Sequence, residues 1–429
     1  MTTEEKMNIH EHLKYLRILK PRYLAASREE RGQLLTAMEE ATGLHRKSLI
    51  RLLGGDLERH PRQQQRQPIY GADVTAALQV IAESFDYICA ERLTPNLVWM
   101  AQHLEAHEEL QLSAELLAQL GQISASSVGR RLANIPHDTP RLHRKGRPVG
   151  PTLTRDIPML RIPWTEAEPG HFEIDLVHHC GPSASGDYVY TLQWIDVATG
   201  WSERVAVLGR SYRAMEDAFL RILRRLPFAV RELHPDNGSE FFNAHMLRFF
   251  GEKVHGARVS RSRPYHKNDN RFVEQKNSSL VRDYLGYDRL DTVAQTLALN
   301  QLYDLMWIYY DLFQPVLHLV AKEVLPATAE QPARLRRRHD DARTPFDRLS
   351  ATCVLTPEQR AQLERLRDRT NPRRLRQAIY DQIEHVLSLP GAVPGQPEDV
   401  GLTLGVYTVS WDDDSSPVTL SIGEQLPVR

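Results

Sequence analysis

The stretch His171-Phe-Glu-Ile-Asp-Leu-Val177 is where the chain changes character. Its residues alternate, Phe172, Ile174 and Leu176 on one side and Asp175 on the other, which is the period of a strand. Tyr188 to Ile195 and Trp201 to Leu208 read as second and third strands, the first two joined by a turn over Gly181 to Gly186. Arg213 to Leu226 spaces Met215, Phe219, Ile222 and Leu223 as one face of a helix. Ala229 to Leu233 reads as a fourth strand running into His234-Pro-Asp-Asn-Gly-Ser-Glu-Phe-Phe242. A helix over 243–250 and a strand over 257–261 follow. Three strands, helix, strand, helix, strand and a last helix predict a mixed α/β layer architecture.

That last helix begins in Arg263-Pro-Tyr-His-Lys-Asn-Asp-Asn-Arg-Phe-Val-Glu-Gln-Lys-Asn277. Pro264 opens a turn, and Phe272, Val273, Leu280, Val281, Tyr284 and Leu285 supply an apolar face. Residues three and four apart share a helix face, so Arg271, Glu274, Asn277 and Ser278 line up together. Such a face is either solvated surface or a place to hold a metal ion beside a phosphate.

Upstream of residue 171 the pattern is helical. Ile9, Leu13, Leu16 and Leu19 predict a helix that Pro21 ends. Ser27 and Glu30 form a capping box for the next one. After the turn Ala41-Thr-Gly43 comes Leu44 to Leu53, stopped by Gly54-Gly55. Two helices about a Gly turn, the second bearing Arg46, Lys47 and Arg51, are the pattern of a DNA-binding helix-turn-helix. Residues 71–133 are again helical. They end in Ile123-Ser-Ala-Ser-Ser-Val-Gly-Arg-Arg-Leu132, where Arg130 and Arg131 could reach phosphates or bases. Downstream, 292–323 reads as helix-rich and dense in aromatics, read as packing on the core. Arg334-Leu-Arg-Arg-Arg338 is a basic run able to grip phosphates, and Thr356-Pro357 and Asn371-Pro372 start further basic helices.

The net charge of −1 hides uneven distribution. Residues 44–66 carry six Lys/Arg against two acids, 130–147 six against one, and 396–429 one Arg against six acids. Clustered cations of this kind suit a polyanionic partner. With 41% hydrophobic residues and no run of about 18 apolar ones, no membrane span is expected. The N-terminus lacks the apolar core of a signal peptide. The three dispersed cysteines give neither a disulfide framework nor a zinc spacing, so the cytoplasm is the expected compartment.

Three acids fall at element ends: Asp175 on the first strand, Asp236 after the fourth, Glu274 on the last helix. Oxygen ligands without Cys or His suit magnesium, and a pair of ions can activate one oxygen of a phosphodiester and stabilise another. Asp236 is also what a turn prefers, and Asp175 could face solvent. Glu173, Asp196 and Glu240 are secondary candidates, and His178-His179-Cys180 is read as structural.

Taken together, Ile174-Asp-Leu-Val, His234-Pro-Asp-Asn-Gly-Ser-Glu-Phe and Asn268-Asp-Asn-Arg-Phe-Val-Glu-Gln-Lys-Asn resemble the DDE signature of integrase-core insertion-sequence transposases, which are similar to retroviral integrases in the catalytic domain. The resemblance covers about residues 165–290. It implies an α/β ribonuclease-H-like core, flanked here by all-α helix-turn-helix N-terminal domains and a helical C-terminal region. It also implies Asp175, Asp236 and Glu274 as ligands of Mg2+ or Mn2+, two ions in all. The implied activity is cleavage at element ends followed by transfer of the 3′-hydroxyl into target DNA. The His/Cys zinc domain that opens retroviral integrases has no counterpart in this sequence. Lys267, Asn268, Arg271, Lys276 and Asn277 are then expected to touch DNA. Lys276 is the weakest of these, since on a regular helix it points away from Glu274.

The expected organisation is a helix-turn-helix domain (1–56), a basic linker (57–70), a second helical DNA-binding domain (71–133) and a basic connector (134–165). The catalytic core (166–290), a helical basic region (291–388) and an acidic tail, small β or disordered (389–429), complete it. DNA is the expected partner, together with further copies of the chain. Two other readings share this core: a non-catalytic regulator or domesticated relic, and a structure-specific nuclease.

Overall fold

A computed structural model describes residues 7–57, 69–135, 166–235, 244–254, 256–260, 271–325 and 334–405. The chain forms two compact units, Met1–Ile69 and Tyr70–Arg429.

In the first unit, α1 (Ile9–Ala25), α2 (Arg28–Thr42) and α3 (Arg46–Gly54) enclose Leu16, Leu35, Met38, Leu49 and Leu53. Asn8 and Ser27 cap α1 and α2 with full capping boxes. Gly43 ends α2 in the left-handed region (φ 67°), a conformation that costs little only without a Cβ. Pro21 does not end α1, contrary to the sequence expectation. The last turn persists because Tyr23 packs on the core, and Arg31 donates to the carbonyls of Tyr23 and Leu24 at 3.0 and 2.7 Å. These are carbonyls a helix end otherwise leaves without a partner.

The second unit is built on a five-stranded mixed sheet of order β3-β2-β1-β4-β5. Its strands are β1 (His171–His178), β2 (Val189–Asp196), β3 (Ser202–Leu208), β4 (Glu232–Pro235) and β5 (Arg258–Val259). β1 pairs antiparallel with β2 and parallel with β4. The period-2 alternation sorts the two faces. Phe172, Ile174, Leu192 and Trp194 lie towards α9 (Tyr212–Arg225), where Trp194 meets Phe219 edge-on at 5.0 Å. Glu173, Asp175, Thr191, Gln193 and Arg204 share the opposite, polar face by register.

β3 is an edge strand, and an exposed edge invites pairing with other chains. α13 (Val293–Leu312) covers it. Asn300 accepts from the Ala206 amide and donates to the Ala206 carbonyl, both at 2.9 Å, and Asp311 accepts from Ser202 N at 2.9 Å. Polar residues inside a buried helix thus do the work of a neighbouring strand. The expected packing of the aromatics in this region holds, with Tyr303, Trp307, Tyr309 and Phe313 all buried.

The helices α4 (Ala72–Ser84), α5 (Ala90–Leu93), α6 (Leu97–Ala106), α7 (Ala114–Gln122), α8 (Ala125–Leu132) and α10 (Ala244–Lys253) belong to this same unit. The helical stretch expected from residue 71 is not continuous after α4. It breaks at Asp86 and Tyr87, both at positive φ, where the Asp86 carboxylate accepts from Tyr284 (2.6 Å), Tyr380 (2.9 Å) and Arg376 (3.0 Å).

Between α13 and α14 (Pro345–Ser350), the region expected to be helical instead holds a two-stranded antiparallel ribbon. Its strands are β6 (Leu319–Leu325) and β7 (Arg334–His339). Pro315 bars continuation of α13, and the β-branched and aliphatic residues of Leu319-Val-Ala-Lys-Glu-Val-Leu325 suit a strand. α15 (Pro357–Arg369) and α16 (Pro372–Ser388) follow as expected.

His179, just past β1, is fully buried with Nε2 2.8 Å from the Thr191 hydroxyl, and burial pushes its pKa down to about 3. The folded state therefore takes up fewer protons than the unfolded state between pH 6.5 and about 3. The stability from neutral His179 is complete above pH 6.5 and is lost as pH falls through that window, by roughly 2 kcal/mol at pH 5. Denaturant titrations at pH 7 and pH 5 are expected to show a smaller loss for His179→Asn than for the wild type. Equal losses would contradict this assignment.

Candidate active site

Asp175 stands on the polar face of β1, half-buried, its Oδ1 accepting from Leu176 N at 2.9 Å. Beside it runs one continuous helical stretch: α11 (Arg271–Lys276), a π-helical segment over Asn277–Arg282, and α12 (Asp283–Leu285). Three ties fix this stretch along β1. Glu173 Oε2 accepts from the amides of Phe272 and Val273 at 2.7 and 3.0 Å. Asn277 Nδ2 donates to Asp175 Oδ2 at 2.6 Å. Arg282 donates to the His178 carbonyl at 2.6 Å.

The spacing of these ties agrees with helix and strand geometry. From Phe272 to Arg282 the helical stretch would rise about 15 Å at the α-helical 1.5 Å per residue, somewhat less through its π-helical turn. Five residues of strand, from Glu173 to His178, span about 16–17 Å. Helix and strand therefore run side by side in step. Glu274 is exposed, one helical turn before Asn277 and so on the same face as the residue that touches Asp175. The π-helical segment begins at Asn277 itself, and such segments frequently sit at functional sites.

Glu173, held in the sequence reading as a secondary metal ligand, is buried and occupied as the cap of α11. A carboxylate at a helix N-terminus satisfies orphan amides and complements the helix dipole. Glu173→Ala is expected to cost about 1–3 kcal/mol and to lower activity by loosening α11. Glu173→Gln, which keeps an acceptor oxygen, is expected to recover most of both. Denaturant midpoints and turnover measured side by side check this; an Ala variant as stable and active as wild type would contradict it.

The third acid is approached through β4. The parallel pairing aligns His171 with Glu232 and Ile174 with Pro235, an offset of 61 residues (232−171 = 61). Asp175 and Asp236 are also 61 apart in sequence (236−175 = 61), and Asp236 is the residue after Pro235. Asp236 lies outside the described residues, as do Lys267, Asn268 and Glu240.

The other predicted residues are dispersed. Lys276 is two positions from Glu274, roughly 200° around the helix. It lines a cavity of about 90 Å³ with Arg92, Ser202, Asp311 and Gln314, and burial beside Arg92 and Arg204 pushes its pKa down to about 8. Arg271 opens α11. In the first unit Lys47 and Arg51 are exposed, while Arg46 braces α3 against α2 through Thr36 Oγ1 and Gly32 O, both at 3.1 Å. In the second unit Arg130 is exposed, whereas Arg131 is bound to Thr75 and the Tyr70 carbonyl. His178 and His179 bond to Tyr188 and Thr191, consistent with structural roles. Asp196, the last residue of β2, is buried, accepting from Gly170 N and from the Thr199 amide and hydroxyl, with its carboxyl pushed up to about 6 by burial.

Residues 165–267 match the integrase core domain family. The uncharacterized protein y4rM of Sinorhizobium fredii (strain NBRC 101917 / NGR234) is 35% identical over 302 residues, covering 70% of this chain and 86% of that one. The chain belongs to the integrase-core family. The matched region includes Asp175 and Asp236 and stops seven residues before Glu274 (274−267 = 7). The catalytic core domain of BIV integrase (crystal form I) aligns at a TM-score of 0.23 and 17% identity, over 28% of this chain and 70% of that one. So slight a likeness has no bearing on this chain's chemistry.

Integrase-core proteins are in general polynucleotidyl transferases acting on DNA, and their catalytic domains normally use divalent metal ions. The donors of this integrase-core protein fit such an ion in kind. Asp175 and Glu274 offer only oxygen, as hard cations prefer, and the buried Oδ1 of Asn277 has no hydrogen-bond partner among the described residues. Among the described residues no group of three or more His, Cys, Asp or Glu gathers as a metal site. No described helix is long and apolar enough to cross a membrane.

Proposed function

We propose that the chain is a DNA transposase that cleaves the ends of a mobile element and joins the freed 3′-hydroxyl to target DNA. The observation that supports this best is the fixing of the Glu274 helix along β1 beside Asp175, with β4 paired at the offset that separates Asp175 from Asp236. Asp175, Asp236 and Glu274 are the residues that hold the divalent ions, Mg2+ or Mn2+, two in number. When bound, such a pair activates an attacking oxygen and stabilises the leaving one.

The remaining residues position the reaction. Glu173 fixes the start of α11. Asn277, through its amide donor, orients the Asp175 carboxylate. Lys267, Asn268 and Arg271 hold DNA phosphates. The α2–α3 pair, with Lys47 and Arg51 outward, and α8, with Arg130 outward, read the element ends. Joining exchanges one phosphodiester for another, so no nucleotide cofactor is needed. The protein works in the cytoplasm, on DNA, as a homo-oligomer that brings two ends together.

Incubating the protein with the DNA that flanks its gene, with and without Mn2+, tests this. The expected products are 3′-hydroxyl ends and, with target DNA present, joined strands. Cleavage without joining would make it a nuclease, and binding with neither would make it a regulator or relic; both outcomes contradict the proposal.

A further inference from the structure

The ribbon β6–β7 is separate from the five-stranded sheet. Its root is rigid. Val316 and Arg343 exchange backbone hydrogen bonds at 2.8 and 3.3 Å, and His318 N donates to Asp340 Oδ1 at 2.8 Å. The buried Arg348 then locks the pair of strands. It holds both Asp340 oxygens, at 2.6 and 3.0 Å, together with the carbonyls of Val316 at 2.9 Å and Asp341 at 3.0 Å. Val316 also lines the cavity that contains Lys276, so the ribbon leaves the body beside the back of the catalytic helix.

Beyond this root the strands emerge from the core. Val320, Glu323 and the whole run Arg336, Arg337, Arg338 and His339 are exposed, and no ion pair to these three arginines is seen among the described residues. Residues 319–325 and 334–339 contain four Arg and one Lys against one Glu, a net of +4 with His neutral (5−1 = 4), in a chain whose total is −1. Strand alternation puts Arg336 and Arg338 on one face, about 7 Å apart, and Arg337 on the other. A two-stranded arm tied down at its root, with cations on both faces, is complementary to a polyanion that surrounds it. The major groove of duplex DNA, about 12 Å wide and walled by phosphates, admits such a ribbon.

We propose that β6–β7 is a DNA-gripping arm whose Arg336, Arg337 and Arg338 neutralise backbone phosphates of a duplex held against the active-site body. The inference rests on the reading of the protein as DNA-acting. Because the arginines point to both sides and the root is fixed, the arm contributes affinity and register, not base sequence.

The test is binding of the full-length protein to a 30-base-pair duplex, followed between 50 and 200 mM salt. Each neutralised phosphate contributes about −0.9 to the slope of log affinity against log salt. R336Q/R337Q/R338Q is therefore expected to bind more weakly, with a slope shallower by about 2.7. Its deficit relative to wild type should shrink roughly fortyfold across that salt range. R336K/R337K/R338K, which keeps the point charges, is expected to retain the wild-type slope, and all three proteins should melt together because the side chains are exposed. A Gln triple variant with the wild-type slope overturns the proposal while leaving the transposase reading intact. A Lys variant as weak as the Gln one overturns the phosphate assignment. A wild-type protein with no affinity for the duplex removes the DNA-acting reading and the arm together.

Discussion

Asp175→Asn is expected to leave a folded, DNA-binding protein whose metal-dependent strand cleavage has fallen at least about a thousandfold. The substitution is nearly isosteric and keeps an oxygen for the Asn277 amide, which donates to Asp175 Oδ2 at 2.6 Å, so the Glu274 helix should stay in place along β1. What is lost is the negative charge that holds a cation. Metal stabilisation of a phosphoryl transition state is worth several kcal/mol, and each 1.36 kcal/mol is tenfold in rate. Melting temperature and DNA affinity measured beside cleavage separate a chemical defect from a structural one. An Asn variant within tenfold of wild type would remove Asp175 from the chemistry.

The second large effect is on stability. Arg225→Ala is expected to destabilise the protein by about 3–5 kcal/mol, because it leaves the buried Glu203 carboxylate without its cation and Asp304 with Arg221 alone. Arg225 bonds Glu203 at 2.6 Å and Asp304 at 2.8 Å, and Arg221 bonds Asp304 at 2.8 Å. The other oxygen of Glu203 accepts from the indoles of Trp201 and Trp307 at 3.0 and 2.8 Å. The network therefore joins β3, α9 and α13 and seals the covered edge of the sheet. Denaturant unfolding of the variant checks the figure, and a loss below about 1 kcal/mol would show that water or rearranged side chains replace the guanidinium.

The features legible in the sequence were those with a local period. The alternation around Asp175 located β1 and assigned its faces, and the spacing of Met215, Phe219 and Ile222 located α9. The helix carrying Glu274 was readable for the same reason, and the order of acids and turns pointed to the family. What escaped depends on partners distant in sequence. Glu173 reads as a secondary candidate for the metal site, and nothing local reveals that it caps a helix about 100 residues later. Asn300, Asp304 and Asp311 lie in a stretch marked in the sequence only by its aromatics, yet they satisfy an edge strand and an arginine pair. Pro21 looks like a stop, but Arg31 supplies the bonds that let α1 run on. The ribbon was hidden because Leu319 to Leu325 is short and follows a long helix, so its apolar residues read as more of the same. The π-helical turn at Asn277 leaves no mark on the residue pattern.

The central claim is that Asp175, Asp236 and Glu274 act as one metal-holding set, and Asp236 is its most exposed premise. Asp236→Ala, assayed for Mn2+ binding and for joining of the flanking DNA ends, tests it most directly. The account predicts a protein that melts like wild type and still binds DNA, yet takes up Mn2+ weakly and joins no ends. An Asp236→Ala protein that joins ends at the wild-type rate would contradict it.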